Sequence, residues 1–167
     1  MSTTITANTH IQPAAGHSAK LYMDTSSNSD TPTWTEVKGI GDVNLEGFER
    51  ANVEIKSRDY DYTLSLPGIA GVPAISFNMF YGMDATTQAA IQSDYLNKTR
   101  RKWLVCDGDC TEAGAEGWII PGYVSQLALT QALEEAQKYD VKVTGVLMKN
   151  QAGTANVEVS YFVKASN

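Results

Sequence analysis

The stretch from Ser57 to Met83 limits most strongly what this chain can fold into. Its first part, as far as Pro73, contains two prolines and two glycines, which argues against a single regular element. Its second part alternates, with Ile75, Phe77, Met79 and Tyr81 facing one way and Ser76 and Asn78 the other. The stretch therefore predicts a long loop followed by a core strand. Long loops inside a compact domain usually have a function, and this one has the aromatic and charged residues of a contact surface.

Alternation of apolar and polar residues predicts several further short strands. They comprise residues 19–24, 34–39, 51–56, 103–106, 118–130, 138–148 and 157–163. The strand 118–130 is expected to bend at a bulge near Pro121-Gly122. Residues 40–48 are interpreted as an irregular link, and residues 131–137 as either one helical turn or a loop.

One helix is predicted, over about residues 84–99, with Asp84 or Thr86 as its N-cap. The face expected to be buried consists of Gln88, Ile91, Tyr95 and Thr99, with Leu96 beside them. With the strands, this gives a mainly β fold, a two-sheet β-sandwich or barrel-like domain with one flanking helix. Residues 1–18 are small and polar and are expected to form a flexible N-terminal arm, and residues 19–167 a single β-rich domain.

The charge balance argues against tight nucleic-acid binding. The chain has 167 residues, a net charge of −6 and a pI of about 4.8, whereas nucleic-acid binding needs clustered cations. Four cations lie at the end of the predicted helix: Lys98, Arg100, Arg101 and Lys102. They are interpreted as complementing the helix dipole and as a subunit contact, rather than as a phosphate patch. Residues 107–135 include six acids and no Lys or Arg, which indicates either a solvated acidic edge or a surface that repels phosphate.

No arrangement of residues predicts catalysis, a metal site or a cofactor. Both histidines, His10 and His17, lie in the predicted arm, and the sequence has no nucleophile elbow or phosphate-binding glycine loop. Cys106 and Cys110 are either two thiols on the arms of a tight hairpin turn or a cross-strand disulfide. No apolar run approaches the roughly 20 residues that would span a bilayer, and no secretion signal is expected.

The order and spacing of these features resemble the major tail tube proteins of long-tailed bacteriophages. The resemblance extends over roughly residues 21–150 and has no invariant chemical motif. The segments that carry it are Trp34–Gly39 with Val43, Val53–Ile55, Leu66–Gly71, Ala74–Asn78, the helix beginning near Asp84, Trp118–Leu129 and Tyr139–Gly145.

The resemblance implies a structural protein without catalytic activity. Its copies would form hexameric rings stacked into a tube with an acidic lumen, through which the genome leaves the capsid. The implied partners are other copies of the chain and the tape measure, tail terminator and tail tip proteins, while DNA passes without specific binding and no membrane is involved. The implied location is the virion tail, after synthesis in the host cytoplasm. Arg58, Asp59, Tyr60, Asp61 and Tyr62 match the place of the loop that contacts the adjacent ring.

Two alternatives remain open at this point. One is a tube-forming subunit of a secretion or contractile injection device, which would share the fold and the assembly. The other is a monomeric sugar- or protein-binding β-sandwich, in which Trp34, Trp103 and Trp118 would form an exposed platform.

Overall fold

The computed structural model describes residues 19–26, 30–59 and 61–165, so the predicted arm, residues 1–18, lies outside the described residues. Strands and one helix follow one another in the described part. The strands are β1 (Lys20–Asp24), β2 (Trp34–Glu36), β3 (Ile40–Glu46), β4 (Arg50–Ile55), β5 (Leu64–Ala70), β6 (Ala74–Phe80), β7 (Arg100–Cys106), β8 (Glu116–Thr130), β9 (Lys138–Gly145), β10 (Met148–Lys149), β11 (Asn156–Val157) and β12 (Ser160–Val163), and the helix is α1 (Ala85–Asn97).

Eight strands form one antiparallel sheet, in the order β2-β1-β7-β8-β9-β6-β3 with β12 beside the start of β8. The sheet folds over onto itself. Phe77 on β6 and Trp103 on β7 have ring centroids only 6.2 Å apart, although β8 and β9 separate their strands. The two outermost strands, β2 and β3, are also joined by only residues 37–39. The predicted mainly β, barrel-like fold with one helix is confirmed.

The main core lies inside this fold. Leu21, Met23, Trp103 and Ile120 come from the half of the sheet around β7, and they pack against Ile75, Phe77, Met79, Val141 and Val143 from the other half. The alternation predicted for β6 is confirmed as far as Met79, whereas Tyr81 follows the end of the strand and is exposed. Because Trp103 is completely buried, it anchors both halves of the sheet.

Strand β8 belongs to both halves of the sheet. Gly117–Tyr123 pairs with β7, and Gly122–Thr130 pairs with β9. The predicted bulge near Pro121-Gly122 is wrong, because the register shift lies between Val124 and Gln126. Pro121 is tolerated since it falls between the segments of β8 that pair with β12 and with β9.

Helix α1 begins and ends close to the prediction. The Asp84 side chain accepts hydrogen bonds from the backbone N–H and the hydroxyl of Thr87, as an N-cap does. The helix ends at Asn97, and the following residue, the C-cap Lys98, has a left-handed φ of 55°. The predicted buried face is partly wrong: Thr87, Gln88, Ile91 and Asp94 are buried, whereas Tyr95 and Leu96 are exposed.

Arg101 explains why Asp94 is buried. Its guanidinium forms an ion pair with the Asp94 carboxylate and donates a second hydrogen bond to the Asp24 carbonyl at 2.7 Å. The interpretation of the four cations as partners of the helix dipole is therefore wrong for three of them. Arg100, Arg101 and Lys102 belong to β7, where Lys102 is itself buried.

Two segments predicted as irregular are strands. Residues 40–48 include β3, which pairs with β6 through a bulge between Ile40 and Val43. A Cβ at Gly41 would overlap the Asn78 side chain, so a larger residue at this point of the bulge would have to displace the Asn78 amide. Residues 131–137 form a turn with no helix, and the predicted last strand is divided into β11 and β12.

Candidate assembly surfaces

The predicted long loop is mostly a β-hairpin. Strands β4 and β5 form a separate two-stranded sheet, so the prediction of no regular structure between Ser57 and Pro73 is wrong. Pro67 and Gly68 are tolerated in β5 because, among the described strands, β5 pairs with β4 alone. The register also shifts opposite them, between Arg50 and Asn52.

The hairpin exposes apolar side chains, and the strand register places Val53, Ile55 and Leu66 on one of its faces. Val53, Ile55, Leu66 and Ile69 are between 41% and 88% exposed. A two-stranded sheet without a covering layer is marginally stable in water, and contiguous exposed apolar surface marks an interaction site. The hairpin therefore has the character of an element that is completed by another molecule.

The residues predicted to make the inter-ring contact lie at the tip of this hairpin. Arg58, Asp59, Asp61 and Tyr62 are exposed between β4 and β5, and Tyr60 lies outside the described residues. Ser57 orders the approach to the tip, since its hydroxyl accepts a hydrogen bond from the Asp59 backbone at 3.2 Å. Tyr62 is 64% exposed. The tip thus presents charged and aromatic side chains, as a protein contact requires, while its role remains a prediction.

A second surface is the outer face of β3, β6, β9 and the second half of β8, called here the polar face. Its residues surround a shallow depression of about 420 Å³: Asp42, Asn44, Ser76, Asn78, Gln126, Asp140 and Lys142. Lys142 forms an ion pair with Glu46 at 3.0 Å. With Lys138 at the start of β9, the strand alternation gives this face three carboxylates and two lysines. This face was not predicted from the sequence, although the polar residues that alternate along these strands indicate it.

Among the described residues, both margins of the polar face are strand edges without a further strand beside them. Strand β3 is the last strand of the sheet on one side. On the other side, β7 pairs with β8 only as far as Tyr123, so the β7-facing edge of residues 124–130 has no strand partner in the described part of the chain. Open edges of this length are templates for pairing with another chain.

The two cysteines lie in a second, smaller core. Cys106 and Cys110 are free thiols buried with Tyr22, Leu104 and Ala115. Cys110 follows the end of β7 within a loop of residues 107–115, so the predicted tight hairpin turn is wrong, while the free-thiol alternative agrees with the structure. Burial raises the pKa of both thiols, which makes them poor nucleophiles at neutral pH.

The same small core fixes its tyrosines. The Tyr22 hydroxyl accepts a hydrogen bond from the Cys110 backbone at 3.2 Å, and burial raises the Tyr22 pKa. At the adjacent edge, the Tyr161 hydroxyl donates to the Glu116 carboxylate at 2.6 Å, which raises the pKa of Tyr161 to about 12. Both tyrosine hydroxyls therefore stay protonated, and the two side chains contribute to packing.

The acids between residues 107 and 135 do not form one surface. Asp107, Asp109, Glu112 and Glu116 lie at or before the start of β8, and Glu134 and Glu135 lie beyond its other end. Lys20 is 3.9 Å from Asp109, so part of the first group is balanced by a cation. A single phosphate-repelling surface built from this stretch is excluded.

The tryptophans do not form a platform. Trp103 is completely buried, and Trp34 packs on the small core. Trp118 is partly exposed but packs against Phe48 and Tyr161, with ring centroids 4.9 and 5.0 Å away. This distribution disfavours the exposed aromatic surface of a sugar-binding sandwich.

Within residues 19–26, 30–59 and 61–165, no group of three or more His, Cys, Asp or Glu side chains could hold a metal ion. Over the same residues, the helix present is too short and too polar to cross a membrane.

Comparison with known proteins gives matches at the level of structure alone. No protein-family model matches the sequence, and no curated protein matches it. A chain in the tail of an empty gene transfer agent particle, solved with C6 symmetry, is similar with a TM-score of 0.66 and 12% identity, over 89% of this chain and 98% of that one. The SPP1 tail tube is similar with a TM-score of 0.64 and 10% identity, over 92% and 81%.

A third similar structure comes from a contractile device. It is a chain of the sheath-tube complex of an extracellular contractile injection system, PVC, in its extended state. The TM-score is 0.54 and the identity 8%, over 92% of this chain and 93% of that one. The two tail structures show that this chain has the fold of phage tail tube proteins.

Proposed function

We propose that this chain is the structural subunit of a phage tail tube, which assembles into hexameric rings stacked into a conduit for genome ejection. The observation that carries the proposal is the polar face with an open strand edge on each side. The C6 symmetry of the similar gene transfer agent tail supports six copies per ring.

The strand directions favour closure of such a ring. Neighbouring strands from β8 through β9 and β6 to β3 are all antiparallel, so β3 and β8 run in opposite directions. Rotation about a tube axis keeps the direction of every strand. Hence β3 of one subunit would meet β8 of the next as an antiparallel pair, with backbone hydrogen bonds that are satisfied only in the ring.

The polar face would then line the bore. Three carboxylates against two lysines, one of them paired with Glu46, leave a slight excess of negative charge. Such a surface would bind DNA phosphates weakly, because their binding depends on clustered Lys and Arg. This agrees with an acidic lumen through which DNA passes without specific binding.

The hairpin would contact the adjacent ring through its tip, at Arg58, Asp59, Tyr60, Asp61 and Tyr62. Its exposed apolar residues and the charged tip support this assignment. The further partners of such a subunit are a tape measure protein inside the tube and terminator and tip proteins at its ends. The subunit would be made in the host cytoplasm, reside in the virion tail, and act without turnover or a cofactor.

A tube subunit of a secretion or contractile injection device is the second candidate. The similarity to the PVC sheath-tube complex supports it, but the TM-score of 0.54 is lower than the 0.64 and 0.66 found for the two tail structures. The phage tail is therefore the preferred assignment.

Hydrogen exchange tests the ring directly. Among residues 40–46 and 124–130, the amides that point to the open edges should exchange in the unassembled subunit and become protected on assembly, because the ring satisfies both edges. Amides of β9, which is already paired on both sides, serve as the internal control and should not change. Assembly without new protection at the two edges would contradict the proposed ring.

A further inference from the structure

Two features at opposite ends of the polar face have complementary chemistry. The first is the turn between β8 and β9, residues 131–137, called here the knob. Its Leu133 is 100% exposed and is followed by Glu134 and Glu135. The turn contains no Lys or Arg, so it presents one large apolar side chain with negative charge beside it.

The second feature is a groove where α1 ends and β7 begins. It has a volume of about 700 Å³ and is lined on its apolar side by Tyr95, Leu96, Tyr123 and Val146. Leu96 is 76% exposed. The charged residues that line the groove are Lys98 and Arg100, both cations. The groove therefore has an apolar wall and a positive rim, the reverse of the knob.

The knob cannot reach the groove of its own subunit. Tyr123 lies at the start and Thr130 at the end of the segment of β8 that pairs with β9. Seven residues of extended strand separate them by roughly 23 Å. A second copy must supply the contact.

We propose that the knob of one subunit docks into the groove of a subunit in the next ring. A knob and a pocket on different parts of one surface make a heterologous contact, which repeats without closing on itself. If lateral edge pairing closes each ring, this contact can repeat only along the tube axis. The inference therefore rests on the proposed tube function and adds the surfaces that stack the rings.

The charges favour the knob over other segments of the chain. Residues 1–19 contain no Asp or Glu and offer nothing to the cationic rim. The tip of the hairpin carries Arg58 together with Asp59 and Asp61, so its charge is mixed. Only the knob combines an exposed large apolar side chain with carboxylates and no cation among these segments.

Two substitutions separate stacking from ring formation. L133D removes the apolar side chain of the knob, and L96D places a carboxylate in the groove. Both positions are exposed in the subunit, so folding should be retained. Each variant should raise the concentration needed for tubes by about tenfold or more, with single rings left in electron micrographs. V163D, at an exposed residue on β12 away from both features, is the matched control and should form tubes as the unaltered chain does.

Mixing preformed rings tests the direction of the contact. Rings of L133D keep an intact groove, and rings of L96D keep an intact knob. A mixture should therefore give stacks of two rings and no longer tubes. As a second test, E134K with E135K should block stacking, and adding K98E with R100E should restore it.

Several outcomes would overturn the inference. Normal tubes from L133D would do so while leaving the ring proposal intact, and so would failure of the charge exchange to restore stacking. If L133D forms tubes but a chain beginning at Ala19 does not, the N-terminal segment is the partner of the groove instead. If the unaltered chain forms neither rings nor tubes, the proposed function itself fails.

Discussion

Arg101 is the residue on which the junction of helix and sheet most depends. Its guanidinium joins Asp94 of α1 to the Asp24 carbonyl at the end of β1. The Asp94 side chain is only 4% exposed, so its carboxylate is costly to bury without a cation. Arg101 thus connects β7 to the preceding helix α1 and to β1, which is distant in sequence.

Replacing Arg101 by Leu should therefore lower the free energy of unfolding by about 3–5 kcal/mol, because Asp94 is left buried and unpaired. Urea unfolding of the unassembled subunit measures the change. The matched control is Lys142→Leu, which breaks an ion pair whose side chains are 42% and 45% exposed and should cost about 1 kcal/mol or less. Equal losses in the two variants would contradict the assigned role of Arg101.

The Asp84 carboxylate should make the contribution of the α1 N-cap to the free energy of unfolding depend on pH. The hydrogen bonds from Thr87 hold the pKa of the Asp84 carboxyl below its usual range. A carboxyl whose pKa is lower in the folded chain stabilises it above the unfolded pKa of about 4, and this stabilisation is lost as the pH falls through the folded value.

Asp84→Ala should lower the free energy of unfolding by about 1 kcal/mol at pH 7 and by less at pH 3. Urea unfolding at the two pH values measures both differences. Asp84→Asn keeps a capping oxygen without charge and should lose less than the alanine variant at pH 7. A loss that grows on acidification would contradict this account of the cap.

Single residues also explain where prediction from sequence succeeded and failed for α1. Asp84 was predictable because a capping carboxylate acts within its own turn. Burial of Asp94 in place of Leu96 was not, since it depends on Arg101, which lies on another element. A pattern that assigns polar residues to the outside fails where a partner on another element compensates the charge.

At the scale of elements, the hairpin is the part least integrated with the folded body. Its two strands pair only with each other among the strands of the described residues. At its base, the Gly71 N–H donates to the Glu49 carbonyl at 2.6 Å. The segments that lead into and out of the hairpin therefore lie side by side. The hairpin can therefore be removed without opening the sheet.

Replacing residues 50–70 by Asn-Gly should leave the thermal stability of the body nearly unchanged and abolish tubes. The dipeptide favours a tight turn that suits the close chains at the base. Circular dichroism measures the first effect and electron microscopy the second. A milder variant, Tyr60→Ala with Tyr62→Ala, should polymerise poorly while remaining folded. Normal tubes from both variants would exclude the hairpin from assembly.

Elements were predictable where alternation was regular and were missed where it was interrupted. Strand β6 followed directly from Ile75, Phe77 and Met79. Strand β3 was missed because its bulge and Gly41 disturb the period, and β5 because Pro67-Gly68 resembles a turn. Of the candidate site, the residues of the tip were predicted from a family resemblance. The open edges depend on the order of strands in the sheet, which local pattern does not encode.

For the molecule as a whole, the balance of charge gives a further prediction about DNA. Lys98 and Arg100 form a small cationic rim on a chain of net charge −6, and Arg101 is engaged by Asp94. Tight DNA binding requires several phosphate contacts. A gel mobility assay at physiological salt should therefore show no complex with duplex DNA, and a salt-sensitive complex would contradict the account of the lumen.

The surfaces of the molecule support growth in two directions. In the proposed tube, the open edges of β3 and β8 would pair laterally and close a ring, and the hairpin and the knob would extend toward neighbouring rings. Electron microscopy of the purified chain across a concentration series tests this most directly. The account predicts sixfold rings at low concentration and stacked hollow tubes at high concentration, whereas single subunits at every concentration would contradict it.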